Sequence, residues 1–332
     1  MPTPIEDTPK PGPLTVGEDE AGMRVDAFLA KRKLMPSSSA ARRAVASRAV
    51  RVNHNVAKKG LHLQPSDVVD LEDGAAETVL VPAPQLELSL LYTDEDIVAV
   101  SKPAGVASHP LRAGEGPTLA GALVARFPEC AAASVDAREG GLGHRLDIGT
   151  SGVLLAARSR PTWHRLREAL AGSHCEKIYL AEIRDPFPST ETGCREFALP
   201  GPYASSFVIS APIGRRGRRG SQVVLASGRQ PLPARTDVVL LAARDGAALV
   251  EARLERGRAH QVRAHLAYIG VPVWGDPVYG TEGPASAREL HLHAWAISFL
   301  HPTSGKPLRI EAPVPAWVEA YSNWAMLVST RR

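Results

Sequence analysis

A chain of 332 residues with 44% hydrophobic and 22% charged content has the make-up of an ordinary globular protein, long enough for two cores. Lys and Arg number 39 against 35 Asp and Glu, and the three cysteines, Cys130, Cys175 and Cys194, lack the paired spacing of a disulfide framework or a zinc site. No stretch reaches the ~18 apolar residues of a membrane span, and the proline-rich start has no apolar core for a signal peptide, so a cytoplasmic protein with reduced thiols is expected.

Pro2, Pro4, Pro9, Pro11 and Pro13 predict a disordered tail over residues 1–14. A small α+β module follows over residues 15–74. Val25, Phe28 and Leu29 share one face of a first helix, and Ser37, Ser38 and Ser39 offer N-caps for a second that runs to Ala46. Residues 50–55 read as a strand and turn, and residues 67–71 as another strand. Between Gly22 and Leu63 the module carries ten Lys or Arg against a single acid, Asp26. Charge so concentrated points to a polyanion, of which nucleic acid is the commonest, and makes Arg24, Arg42, Arg43, Arg51, Lys58 and Lys59 candidate contacts.

Ala75, Ala76, Pro82 and Pro84 mark residues 75–85 as a linker. A second domain is expected over residues 86–325. Apolar strands at 88–92 and 97–100 are joined by an acidic turn at 93–96, and Lys102-Pro103-Ala104-Gly105 ends the second. The glycine-rich loop 141–152 then runs into the apolar stretch 153–157. Pro161 starts a helix with Trp163, Leu166 and Leu170 on one face, and residues 176–183 form a strand. Strands dominate as far as a helix at 256–269, and more strands follow through Ile310. Within this stretch Arg215-Arg216-Gly217-Arg218-Arg219 is a second basic cluster in a glycine loop, which adds Arg215 and Arg216 to the candidate contacts. There is no internal repeat, and the order of elements is α+β rather than regular βαβ.

Asp147 is the residue placed for chemistry. A carboxylate on a glycine loop at the mouth of a buried strand can be aimed at a substrate, because the strand is rigid and the glycines admit a ligand close to the backbone. Taken alone, a loop aspartate more often caps its own turn. Three further polar segments keep it company: residues 176–181 with Tyr179 on a strand, residues 257–266 at a helix start leading to Gly275-Asp276-Pro277-Val278-Tyr279-Gly280, and residues 290–294.

The small module resembles the S4 RNA-binding domain in Arg24-Val25-Asp26-x-Phe28-Leu29 and in Val50-Arg51-Val52-Asn53. It departs from that pattern at Ala40, Ala49 and Ser66, where the family carries an arginine and two glycines. From about residue 86 to 315 the chain resembles the RluA-type family of RNA pseudouridine synthases. The resemblance rests on Lys102-Pro103-Ala104-Gly105, His144-Arg145-Leu146-Asp147, Thr150-Ser151-Gly152 and Gly257-Arg258-x-His260-Gln261-Val262-Arg263-x-His265-Leu266. Ala259 stands where the family carries Thr or Ser, and Glu255-Arg256 replaces its usual residues.

The resemblance implies a catalytic domain with a mixed, mainly antiparallel sheet and flanking helices behind a small S4-like domain, the whole being α+β. It implies isomerisation of uridine to pseudouridine within RNA, with large-subunit ribosomal RNA ahead of transfer RNA, and no metal or other cofactor. A monomer that engages no membrane is expected. It assigns Asp147 as the essential carboxylate, Arg263 as its buried salt-bridge partner and Tyr179 as the ring against the uracil. Arg145 would enter the space left by the everted nucleotide, and His144 would be a structural hydrogen-bonding residue. A carboxylate can add covalently to the sugar or take a proton from it, and both routes stay open. Two rival readings remain: a metal-dependent hydrolase using His260, His265, Asp276, His291 and His293, and a non-catalytic RNA-binding or ribosome-assembly factor on the same fold.

Overall fold

A computed structural model describes residues 12–35, 38–46, 48–71, 80–110, 116–184, 195–197, 206–216, 222–225, 229–244, 247–280 and 289–321. The chain divides into two compact units. The first holds the residues up to Leu80 together with Val135–Glu139, and the second holds Val81–Pro110, Gly116–Ser134 and the chain from Gly140.

In the first unit, helices α1 (Val25–Lys31) and α2 (Ser38–Ala46) accompany strands β1 (Leu14–Thr15), β2 (Val50–Val52), β3 (Asn55–Val56) and β4 (Val68–Leu71), ordered β1-β4-β2-β3 and all antiparallel. Val25, Phe28, Leu29, Ala41, Val45, Val50 and Val69 close its core. Asn53 and His54 both have positive φ, which gives the β2–β3 hairpin the backbone twist that two-residue connections need. Ser66 sits at φ +68, the left-handed conformation for which the resemblance supplies a glycine. The expected tail lies outside the described residues as far as residue 11, and Leu14 already pairs with Val69.

In the second unit a sheet runs in the order β5-β6-β7-β16-β8-β15-β14-β10-β9, with β17 also pairing β16. Its strands are β5 (Ser89–Thr93), β6 (Ile97–Lys102), β7 (Ser151–Ala157), β8 (Glu176–Arg184), β9 (Arg195–Phe197), β10 (Ser206–Ser210), β14 (Arg235–Arg244), β15 (Ala247–Leu254), β16 (Leu292–Leu300) and β17 (Pro307–Glu311). A separate sheet is ordered β12-β11-β13, from β11 (Ile213–Arg216), β12 (Gln222–Leu225) and β13 (Arg229–Leu232). Arg215 and Arg216, expected in a loop, therefore belong to a strand.

Helices α3 (Leu119–Arg126), α4 (Arg160–Ala171), α5 (Gln261–Tyr268) and α6 (Ala316–Glu319) flank the sheet strands in the chain. Ser159 caps α4, accepting from the Thr162 amide at 3.3 Å, and Trp163, Leu166 and Leu170 are its buried residues. Successive residues of β8 serve opposite faces: Ala181 and Ile183, with Tyr179 packed against them, join Val262 and Leu266 of α5, whereas Ile178 and Leu180 join Trp295, Val318 and Tyr321.

Strand β7 is buried along nearly its whole length and lies between β6, antiparallel, and β16, parallel. The parallel contact requires Gly152, whose φ is +114 and where a Cβ would stand 2.1 Å from the Ala294 carbonyl oxygen. Two expectations need correction here. Residues 81–85, expected as linker, lie along α3: Ala83 is buried and its N–H donates to the Gly121 carbonyl at 3.0 Å. The helix expected from 256 starts at Gln261, because His260 takes φ +57 and residues 255–260 turn instead. Among the described residues no helix is long and apolar enough to cross a membrane.

Candidate active site

The loop leading into β7 carries Asp147 at a fixed place because its backbone is tied on both sides. The Thr150 N–H donates to the Asp147 carbonyl at 3.1 Å, the Gly105 N–H to the Ile148 carbonyl at 2.8 Å, and Ser108 Oγ to the Leu146 carbonyl at 2.8 Å. Lys102 completes the anchor. Its side chain is wholly buried, and Nζ donates to the carbonyls of Pro103, Val106 and Ile148 at 2.9, 2.7 and 3.0 Å. Burial pulls the Lys102 pKa down to about 8, against a smaller opposing pull from the Asp147 charge.

Helix α5 brings the opposing cation. Its first turn is locked to β14 by Gln261 Nε2, which donates to the Arg235 carbonyl at 2.8 Å and to Thr236 Oγ1 at 3.1 Å. One turn further on, His265 is fully buried, with Nδ1 2.8 Å from Thr236 Oγ1 and Nε2 donating to the Ala211 carbonyl at 3.0 Å. Arg263 lies between these two anchors. Its Nη1 donates to Asp147 Oδ2 at 2.7 Å, and its Nε and Nη2 donate bidentately to Asp276 at 2.8 Å each.

Asp276 is completely enclosed and also accepts the N–H groups of Val278 and Tyr279 at 2.9 and 3.1 Å. These donors outweigh its burial and hold its carboxyl below the usual carboxylate range. Arg263, 5% exposed, is held above its ordinary range by the same two carboxylates against the effect of burial. Asp147 is the open end of this chain of charges, with 27% of its side chain exposed. Its other oxygen, Oδ1, lies 3.5 Å from His260 Nε2, and His260 Nδ1 lies 3.2 Å from the Tyr279 hydroxyl. Burial is the largest influence on His260 and lowers its pKa.

Tyr179, half-buried on β8, is close enough that Asp147, after burial itself, raises the phenol pKa above its ordinary value. Arg145 is exposed on the loop before Asp147. His144 accepts the Leu155 N–H at 3.2 Å through Nε2, a structural contact. The sequence places Lys102 in a motif without a role for its side chain, and it does not pair Asp276 with Arg263. The histidines of the metal reading are spread over different partners: His291 on Glu182, His293 on Ser151 at 2.8 Å, His265 on Thr236 and Ala211. Among the described residues no group of three metal-donating side chains meets.

In the first unit Arg24 and Arg42 share Asp26, at 2.9 and 3.3 Å. Their side chains remain 47% and 67% exposed, while Asp26 between them is 10% exposed. Arg51 donates to the His54 carbonyl at 3.1 Å, and Lys58 and Lys59 are exposed. The side chains of Arg43, Arg215 and Arg216 lie outside the described residues.

Burial pushes the pKa of His144 down to about 3 and that of His293 down to about 4. Both rings are neutral in the folded chain, while the unfolded chain protonates them near 6.5. The folded state then binds fewer protons below pH 6.5, so the stability present above that pH is lost as pH falls towards 4. The expected loss is about 1.4 kcal/mol per pH unit for each histidine. Urea unfolding between about pH 6.5 and 4.5 measures it, and a midpoint constant across that window contradicts the two neutral rings.

An α+β domain in which one arginine, held by a buried aspartate, presents a second, open aspartate at the mouth of an interior strand is the architecture of an enzyme, and the module ahead of it is a small nucleic-acid-binding type. The description of the RNA pseudouridylate synthase family matches residues 96–268, and that of the S4 domain matches residues 23–69. An uncharacterized RNA pseudouridine synthase of Mycobacterium bovis is 36% identical, over 91% of this chain and 94% of its own. The ribosomal large subunit pseudouridine synthase C of Pasteurella multocida is 33% identical, over 91% and 90%. The solved structure of human RNA pseudouridylate synthase domain containing 1 is 26% identical and superposes with a TM-score of 0.54, over 73% of this chain and 90% of that one. The chain belongs to the RNA pseudouridylate synthase family, in its RluA-type branch with an N-terminal S4 domain.

Proposed function

We propose that this RNA pseudouridine synthase isomerises uridine in large-subunit ribosomal RNA, with Asp147 as the essential carboxylate. The observation that carries the reading is the line from Asp276 through Arg263 to Asp147, in which each contact is 2.8 Å or shorter and only the last carboxylate is open to a ligand. The task is to stabilise a sugar centre that becomes electron-poor while the base leaves, turns and returns by C5. A fixed carboxylate suits it, whether it adds to the sugar or removes a proton from it.

Tyr179 supplies a ring against the uracil. Its raised pKa keeps the phenol protonated, which favours the stacking role over that of proton acceptor. The target nucleotide has to leave its stack to reach Asp147, at a cost of a few kcal/mol. Arg145, exposed beside the site, fits the space left behind through its planar cationic head. The ribosomal target is supported by the name of the Pasteurella multocida relative and by the basic S4 domain ahead of the enzyme. A cytoplasmic monomer fits that work.

Mapping pseudouridine after incubation of the protein with in vitro transcripts of large-subunit ribosomal RNA and of transfer RNA tests the substrate, and modification of transfer RNA alone overturns it. The S4 domain's part is tested separately. Replacing Lys58 and Lys59 together by Ala is expected to weaken RNA binding and to reduce the slope of log K against log salt by about 1.4–1.8. An unchanged slope removes these lysines from the RNA contact.

A further inference from the structure

We propose that His260 is a positioning residue of this reaction: its ring, held by the Tyr279 hydroxyl, stands 3.5 Å from Asp147 Oδ1 and orients that oxygen electrostatically towards the sugar while Arg263 holds Oδ2. The inference rests on the reading of Asp147 as the reacting carboxylate and adds what governs its second oxygen. The two oxygens meet groups of different kind, a guanidinium that donates at 2.7 Å and an imidazole nitrogen that stands 3.5 Å away. The close cation draws negative charge onto Oδ2, whereas the longer, uncharged contact orients Oδ1 and leaves its lone pairs reactive.

At 3.5 Å the Nε2–Oδ1 contact is longer than a hydrogen bond and acts electrostatically. The facing carboxylate favours the hydrogen on Nε2, which leaves Nδ1 to accept from the Tyr279 hydroxyl 3.2 Å away. Tyr279 is itself well fixed. Its N–H binds Asp276 Oδ1 at 3.1 Å, its ring lies under the Arg263 guanidinium at 5.4 Å, and the two rings meet edge to face at 5.9 Å. Asp276 thus secures both arms that reach Asp147, one through Arg263 and one through Tyr279 and His260.

The backbone points the same way. His260 occupies φ +57 and ψ 17, a left-handed conformation disfavoured for side chains other than glycine's, immediately before α5. The charged and titratable groups facing the ring are Asp147, Asp276, Arg263, Arg145 and Tyr279. Burial outweighs the two aspartates, so the ring is neutral at physiological pH. Protonation would convert the orienting contact into an ion pair and damp the reactivity of Oδ1.

The test is single-turnover pseudouridine formation by the full-length protein on an in vitro transcript of large-subunit ribosomal RNA, from about pH 5 to 8. H260A is expected to lower the rate constant about 10–100-fold at neutral pH, with half-saturating RNA changed less than about threefold. H260Q places an amide N–H near the same oxygen. It is expected to recover much of the loss and to lack the acid decline expected of the wild type, which sets in below the ordinary histidine range because burial lowers the His260 pKa. H260A within about threefold of wild type while D147N is inactive overturns this inference alone, as does a wild-type acid limb in H260Q. D147N turning over normally overturns the reading of Asp147, and the inference with it.

Discussion

Asp147→Asn is expected to lower the single-turnover rate of pseudouridine formation by at least about 10⁴-fold, with RNA affinity changed by less than about threefold. The substitution is nearly isosteric, and the amide oxygen can still accept from Arg263 Nη1, which keeps its bidentate hold on Asp276. Asp147 is 27% exposed and terminates the chain of charges, so its loss strands no buried partner and the fold should change in stability by about 1 kcal/mol or less. The chemistry has no such tolerance, because a carboxamide neither adds to the sugar nor accepts a proton from it. Filter binding and rapid-quench turnover on the same RNA separate the two effects. Turnover within tenfold of wild type would remove Asp147 from the centre of the reaction. A parallel loss of binding would give the aspartate a role in holding RNA instead.

The parts of this protein that could be read from sequence are those whose determinants are local. The loop ending at Asp147 announces itself through its glycines, and β7 through the unbroken apolar run that follows. Helix α4 is marked by Ser159, Pro161 and the spacing of Trp163, Leu166 and Leu170. Helix α3 has a cap, Thr118, which accepts the Gly121 N–H at 3.3 Å, but no periodicity: residues Leu119 to Val124 are all buried, so no polar face alternates with an apolar one, and Gly121 interrupts it. The polar residues ahead of α5 suit a helix by type, which sets its expected start earlier than Gln261. In the fold they form the turn that caps it, with the Arg258 N–H donating to Gln261 Oε1 at 3.0 Å.

The site divides along the same line. Arg263 and Asp147 stand out as motif residues, yet Asp276 becomes the partner of Arg263 only through a close tertiary approach at Gly275. There φ is +72, and a Cβ would meet the Glu289 carbonyl oxygen at 2.0 Å. Lys102, next to a proline, has the sequence signature of a surface lysine. Two nearby carbonyls, of Pro103 and Val106, and the distant one of Ile148 make it a buried anchor, and their convergence is a property of the fold.

Arg263→Met should cost about 3–5 kcal/mol of stability and, in the fraction that remains folded, about 10²–10³-fold in turnover. Two effects act, and the first is the larger. Removing the guanidinium leaves Asp276, with no exposed side-chain surface, holding a negative charge against only two backbone N–H groups. Releasing Asp147 to other rotamers costs less energy but unsettles the geometry of attack. Arg263→Lys keeps the charge and loses the fork, so it cannot hold Asp276 bidentately and reach Asp147 together. It should fall between wild type and Arg263→Met in both measures.

The pH dependence tells this account from a simple packing defect. In the wild type the depressed pKa of Asp276 contributes stability above the ordinary value of 3.8, lost as pH falls through the folded pKa. Without Arg263, burial is the dominant influence left and raises that pKa above 3.8, so the variant relieves its strain by protonating Asp276 as pH falls. The difference in unfolding free energy between wild type and Arg263→Met is therefore greatest near neutrality and narrows towards pH 4, while losses from the buried histidines cancel between the two proteins. A difference that stays flat across that range would assign the cost to lost packing around the arginine stem and not to a stranded carboxylate.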